Sequence, residues 1–154
     1  MVESGTIEQT LPGLGAPAYD MSEPLPVGRV IGMQPQKRLM LVSGSSKPTL
    51  AQRIAENLEC ELGQVTLKRF ANGETYCRYD ESIRGTDMFI VQTACGPVDT
   101  HLMELLIMID AARLASAKRI TAVIPWYFYA RQDKKARPRE PITARLVADL
   151  LQTA

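Results

Sequence analysis

Histidine is nearly missing from this chain. His101 stands alone, which excludes a multi-histidine metal site. Cysteine is scarce as well: Cys60, Cys77 and Cys95 are odd in number and show no CxxC spacing. They predict reduced, packed thiols of a cytoplasmic protein rather than a disulfide framework. An excess of charge of one sign is absent too, because 18 Lys+Arg against 17 Asp+Glu leave a net charge of +1. No global field attracts nucleic acid or an anionic membrane, so any charge-driven function is local. The apolar run Leu105–Ile109, closed by Glu104 and Asp110, is far too short to cross a bilayer. No basic-then-apolar layout opens the chain, and Glu3, Glu8, Asp20 and Glu23 argue against an organelle transit peptide. No GxSxG or HExxH pattern occurs.

What is present divides at about residue 35. Five of the ten prolines and five of the ten glycines fall within the first 35 residues, where apolar residues show neither helical nor strand period. Residues 1–35 are expected to form a mobile tail, because such a stretch buries too little to offset its ordering entropy. From there the texture is that of one domain, 36–154. Arg38–Ser43 reads as a strand. Pro48 opens a helix carrying Leu50, Ile54, Ala55 and Leu58 at helical spacing. Gln64–Phe70 and Glu74–Asp80 read as two strands around Asn72-Gly73, the strongest short hairpin signal. Asp87–Thr93 and Arg119–Pro125 are buried-type strands, a helix is expected over Asp99–Ser116, and another over Ile142–Leu151. Continuous apolar strands alternating with helices predict an α/β fold: a mainly parallel sheet with helices on both faces and a protruding β-hairpin. The helix around Leu102–Ile109 is apolar nearly all round and is expected to be buried on every side, in the core or partly in a subunit interface.

Ligands of open α/β sheets bind at the carboxyl ends of strands. Three loops qualify: Ser43–Lys47, Thr93–Pro97 and Trp126–Pro141. In the third, five cations lie within the nine residues Arg131–Arg139. Guanidinium forks there suit a polyphosphate. The bland alternative is a solvated loop whose charges pair with Asp133 and Glu140. In the hairpin, Val65 and Leu67 share one face while Phe70 ends the other, polar one. A flat ring beside Asn72 and Glu74 suits a purine, stacked on Phe70 with its amine read by the amide and the carboxylate. Its alternative is a plain hairpin tip needing Asn-Gly for positive φ. Gly44-Ser45-Ser46-Lys47 lacks phosphate-loop spacing and reads as structural. His101, beside a helix start, is expected to be a polar surface residue.

The blocks RFANGE (Arg69–Glu74), ESIRGTDMFIVQ (Glu81–Gln92), LMELLIMIDAARLASAKRITAVIP (Leu102–Pro125), YARQDKK (Tyr129–Lys135) and REPITARLVADLL (Arg139–Leu151), in this order, resemble the N-terminal half of the ribose-phosphate diphosphokinase family, also called phosphoribosyl pyrophosphate synthetases. The resemblance implies a phosphoribosyltransferase-like domain. It implies transfer of diphosphate from ATP, with Mg²⁺, to ribose 5-phosphate, giving phosphoribosyl diphosphate and AMP for nucleotide biosynthesis. It implies an ATP site formed by Phe70, Asn72, Glu74, Arg131, Gln132, Asp133 and Lys134, with the hairpin reaching into a neighbouring subunit of a homo-oligomer. Ser82 and Arg84 match positions near a regulatory phosphate or ADP site. The catalytic histidine, most Mg²⁺ ligands and the acidic Gly-Thr loop for ribose 5-phosphate have no counterpart among these 154 residues. The chain is therefore expected to bind ATP or ADP without turning over alone, and to need neither nucleic acid nor membrane. A non-catalytic regulatory partner of full-length subunits is the alternative. A phosphate- or RNA-binding module is a weaker third.

Overall fold

The computed structural model describes residues 39–154. The expected tail and the first residues of the expected domain, 36–38, lie outside the described residues. Strand β1 (Leu39–Ser43), helix α1 (Pro48–Asn57), the hairpin β2 (Val65–Arg69) and β3 (Thr75–Tyr79), strand β4 (Asp87–Val91), helix α2 (Val98–Leu114), strand β5 (Arg119–Val123) and helix α3 (Thr143–Thr153) follow in order. β1, β4 and β5 form a parallel sheet in the order β1-β4-β5, with Met40 beside Met88 and Met88 beside Ile120. β2 and β3 form their own antiparallel pair, with Leu67 opposite Cys77.

Strand alternation decides which helix covers which face. Met40, Val42, Met88 and Ile90 pack with Leu105, Met108, Ile109 and Ala112 of α2 and Val147 of α3. Leu41 and Val91 pack on the other face against Ala51 and Ala55 of α1, whose small side chains let that helix lie close. Both faces are covered, as the continuous apolar strands require. Helices α1 and α2 end alike. Glu59 and Ser116 take left-handed backbone, at φ 51° and 63°. The next amides, of Cys60 and Ala117, return to the carbonyls of Ala55 and Ala112 at 3.0 and 3.1 Å. Each closes the turn as a glycine usually does.

α2 has apolar residues on several sides because it lies between sheet and hairpin. Val65, Leu67, Cys77 and Tyr79 pack on the same cluster as the sheet, and the Tyr79 hydroxyl donates to the Met108 carbonyl at 2.8 Å. The helix is nonetheless not buried on every side: Met103 and Leu114 are exposed, at its first turns and its last. On the hairpin's inner face, burial pushes the Cys77 thiol up to about 11 from 9.0, with the negative charges of Glu104 and Asp80 adding to it. The thiolate is the reactive form. At pH 8 its fraction is about a hundredfold below that of an unshifted thiol, one pKa unit being tenfold. In iodoacetamide labelling followed by peptide mass spectrometry, Cys77 is expected to react far more slowly than free cysteine. Labelling at the free-thiol rate would contradict that placement.

Candidate functional site

The three loops at the carboxyl ends of β1, β4 and β5 are joined by hydrogen bonds that run through the buried side chains of Glu104 and Gln92. Glu104 of α2, 3% exposed, accepts from the Ser45 amide at 2.7 Å, the Ser45 hydroxyl at 2.8 Å and Gln92 Nε2 at 2.7 Å. Gln92 Oε1 accepts from the Ser46 amide at 3.1 Å, and Gln92 Nε2 also donates to the His101 carbonyl at 3.2 Å. Ser46 Oγ accepts the Thr93 amide at 2.9 Å, and Thr93 Oγ1 accepts the Trp126 amide at 3.2 Å. The Ala94 amide donates to the Trp126 carbonyl at 3.0 Å, closing the link to the β5 loop. His101 is buried, not a surface residue: its Nδ1 lies 2.7 Å from the Cys95 carbonyl, which only a protonated nitrogen can satisfy. A helix start that is packed beneath a loop buries what a solvent-facing start would expose.

The β5 loop launches the basic segment. Phe128 is fully buried. Tyr129 takes a left-handed backbone conformation, φ 55°, unusual for a bulky residue. Its hydroxyl donates to Asp99 at the start of α2, and that bond, with some burial, holds the phenol above its ordinary pKa. A 3-10 turn, Ala130–Gln132, follows, and Gln132 Oε1 accepts the Thr143 hydroxyl of α3. Glu140 Oε2 accepts the Ala136 and Arg137 amides at 2.8 Å each. That carboxylate shapes the loop instead of neutralising it. Among the described residues no carboxylate forms an ion pair with Arg131, Lys134, Lys135, Arg137 or Arg139. All five cations are exposed.

At the hairpin tip the Phe70 amide donates to the Glu74 carbonyl and the Gly73 amide to the Phe70 carbonyl, both at 2.9 Å. Gly73 has φ 92°, which a residue with a side chain would resist. The Glu74 amide donates to Asn72 Oδ1 at 3.2 Å, an Asx turn. Phe70 is 56% exposed and meets Tyr76 edge-on, with ring centroids 6.2 Å apart. It is no part of the core.

Two depressions open here. One, of about 420 Å³, is lined by Trp126, Tyr129, Arg131 and Gln132. The other, of about 610 Å³, is lined by Phe70, Asn72, Glu74 and Met103. Asp99 lines both. The structure thus sorts the expected residues into two groups on either side of Asp99, and Asp133 and Lys134 line neither depression. Ser82 lines a third cleft of about 330 Å³ with Cys77, Tyr79 and Ala111, and Arg84 does not. Among the described residues no group of three His, Cys, Asp or Glu could hold a metal ion, and no helix is long and apolar enough to cross a membrane.

Residues 39–154 match the family profile of the N-terminal domain of ribose phosphate pyrophosphokinase. The chain belongs to the ribose-phosphate pyrophosphokinase family. It is 58% identical over 118 residues to the ribose-phosphate pyrophosphokinase of Corynebacterium efficiens, a match covering 77% of this chain and 36% of that protein. It is 58% identical over 119 residues to that of Mycobacterium leprae, with the same two shares. The crystal structure of phosphoribosylpyrophosphate synthetase from Mycobacterium smegmatis superposes with a TM-score of 0.74 at 56% identity, covering 76% of this chain and 39% of that one. The chain thus spans about a third of the length of the relatives it matches.

Within this pyrophosphokinase domain, sequence reasoning missed Gln92, Glu104, Asp99 and Tyr129. The signal for Glu104 was available. A carboxylate inside LMELLIM must find buried donors, and so must Gln92 at the end of MFIVQ.

Proposed function

We propose that this domain works in an enzyme that transfers the β,γ-diphosphoryl group of ATP, taken up as its Mg²⁺ complex, to the C1 hydroxyl of ribose 5-phosphate. The products are phosphoribosyl diphosphate and AMP, for nucleotide biosynthesis in the cytoplasm. Phe70 stacks on the adenine. Asn72 Oδ1 is already engaged by the Glu74 amide, so the Asn72 NH₂ is what remains to donate to a ring nitrogen, and the Glu74 carboxylate is the acceptor for the exocyclic amine. Arg131 and Gln132 meet the nucleotide from the other side, with Asp133 and Lys134 next to them. Such transfer depends mostly on positioning and on neutralising charge. The described residues offer no cage for Mg²⁺. The family resemblance puts most protein ligands of the cation outside these residues, and the cation arrives with the phosphates of the nucleotide. The family resemblance supports a homo-oligomer in which the hairpin of one copy, with Phe70, reaches the Arg131 side of its neighbour's site, so that the nucleotide is shared between two copies. Ser82 and Arg84 serve a regulatory phosphate. The 154 residues carry no acidic Gly-Thr loop for ribose 5-phosphate, so this polypeptide by itself binds adenine nucleotide without turnover.

The observation that carries the reading is the row of exposed, unpaired cations at the carboxyl end of β5, in a domain whose Phe70 ring stands exposed at the hairpin tip, outside the core. Isothermal titration with Mg-ADP tests it on the wild type, Phe70→Ala and Arg131→Ala. Loss of a base-stacking ring costs about 1–3 kcal/mol, so Phe70→Ala is expected to bind about tenfold more weakly. Arg131→Ala is expected to weaken binding at low salt more than at high salt. Equal affinities in all three proteins would overturn the assignment.

A further inference from the structure

A carboxylate and a carboxamide at the centre of a core are unfavourable unless every lone pair and proton finds a partner. Glu104 finds its donors in Ser45 and Gln92, and Gln92 finds its partners in Ser46 and in α2. Three donors converge on the Glu104 carboxylate, two of them from Ser45, which lies 59 residues away in the chain. Gln92 ties the Ser46 amide to the first turns of α2. Beyond them the bonds run from Ser46 to Thr93 and from Thr93 to Trp126. Trp126 opens the segment that carries Tyr129, Arg131 and Gln132. Three loops and one helix therefore share a single hydrogen-bonded frame, and the frame ends at the wall of the depression lined by Arg131.

We propose that Glu104 and Gln92 are positioning residues: through Ser46 and Thr93 they fix where the β5 loop begins, and so where Trp126 and the Arg131–Gln132 turn stand at the nucleotide site. The proposal rests on the nucleotide reading for its consequence, but the geometry it describes stands without a ligand. Neither side chain opens into either depression, so they act through the loop and not on the nucleotide. A displacement of the order of 1 Å at such a loop is enough to cost about a hundredfold in a well-aligned site.

Trp126 is the chain's one tryptophan and is 60% exposed, so its fluorescence reports on this loop alone. Glu104→Leu removes both acceptor oxygens at similar volume, so the Ser45 amide, the Ser45 hydroxyl and Gln92 Nε2 all lose that partner. Ser46→Ala removes the acceptor of the Thr93 amide and leaves Glu104 intact. Met108→Ala, in the same helix and fully buried, is the control for lost stability without a change in the frame. In the full 154-residue chain, Trp126 emission, iodide quenching, Mg-ADP affinity and the urea midpoint are measured together. Glu104→Leu and Ser46→Ala are expected to change Trp126 quenching and to weaken Mg-ADP by about tenfold. Met108→Ala is expected to lower the midpoint while leaving both unchanged. If Glu104→Leu does not fold, Ser46→Ala decides alone. Frame variants that lower the midpoint but match Met108→Ala in quenching would overturn the proposal. Wild type that fails to bind Mg-ADP would sink the nucleotide reading, while the quenching comparison would still decide whether the frame sets the loop.

Discussion

Phe128→Ala is expected to remove about 3–5 kcal/mol of folding stability, the usual cost of deleting a fully buried aromatic ring. Phe128 has no exposed surface and belongs to the larger of the two core clusters, the one that also holds Met88, Leu105 and Val147. A single domain has only about 5–15 kcal/mol in total. The substitution is therefore expected to bring the domain close to unfolding at 37 °C, visible as a large fall in the urea midpoint at unchanged slope. Phe70→Ala makes the instructive comparison. Its ring is mostly in solvent, and its loss is expected to change stability by no more than about 0.5 kcal/mol. A Phe128→Ala midpoint as close to wild type as that would mean that the ring does not anchor the β5 loop.

The second large effect falls on a residue with no side chain. A Cβ at Gly44 would stand 2.5 Å from Gln92 Cδ and Oε1 and 2.7 Å from its Nε2. The far end of a glutamine can often swing away. This one is 1% exposed and held by Ser46, His101 and Glu104. Gly44→Ala either overpacks the site, at about 1–3 kcal/mol, or frees Gln92 and leaves buried donors and acceptors unmatched, at a further cost of about 1–3 kcal/mol. A clear fall in melting temperature is expected, with amide exchange at Ser45, Ser46 and Thr93 rising first. Exchange unchanged at those three amides would show that the glutamine has room to move.

Much of the fold is legible in the chain because it is written at short range. Pro48 marks the start of α1, Asn72-Gly73 marks a hairpin tip, and MFIV and TAVI read as strands covered on both sides. The exposed ring of Phe70 follows from its place at the end of a polar strand face, whereas the chain leaves open whether the cations after β5 pair with Asp133 and Glu140. What joins the site together is not written that way. The bonds from Ser45 to Glu104 and from Ser46 to Gln92 connect residues 59 and 46 positions apart. No local period encodes them. The same holds for His101, whose burial depends on the loop of Cys95 folding back over it. It holds too for Asp99, which becomes a shared wall only once the hairpin and the β5 loop arrive on either side of α2.

The hairpin keeps its own ladder, and no strand hydrogen bond joins it to β1, β4 or β5. Its grip on the rest is through side chains such as Val65, Leu67 and Tyr79 laid on α2. That makes it a detachable arm: mutation can lengthen it, shorten it or change its tip while the parallel sheet keeps its register. A lineage could in this way revise the tip that carries Phe70, Asn72 and Glu74 without redesigning the scaffold that carries the basic loop.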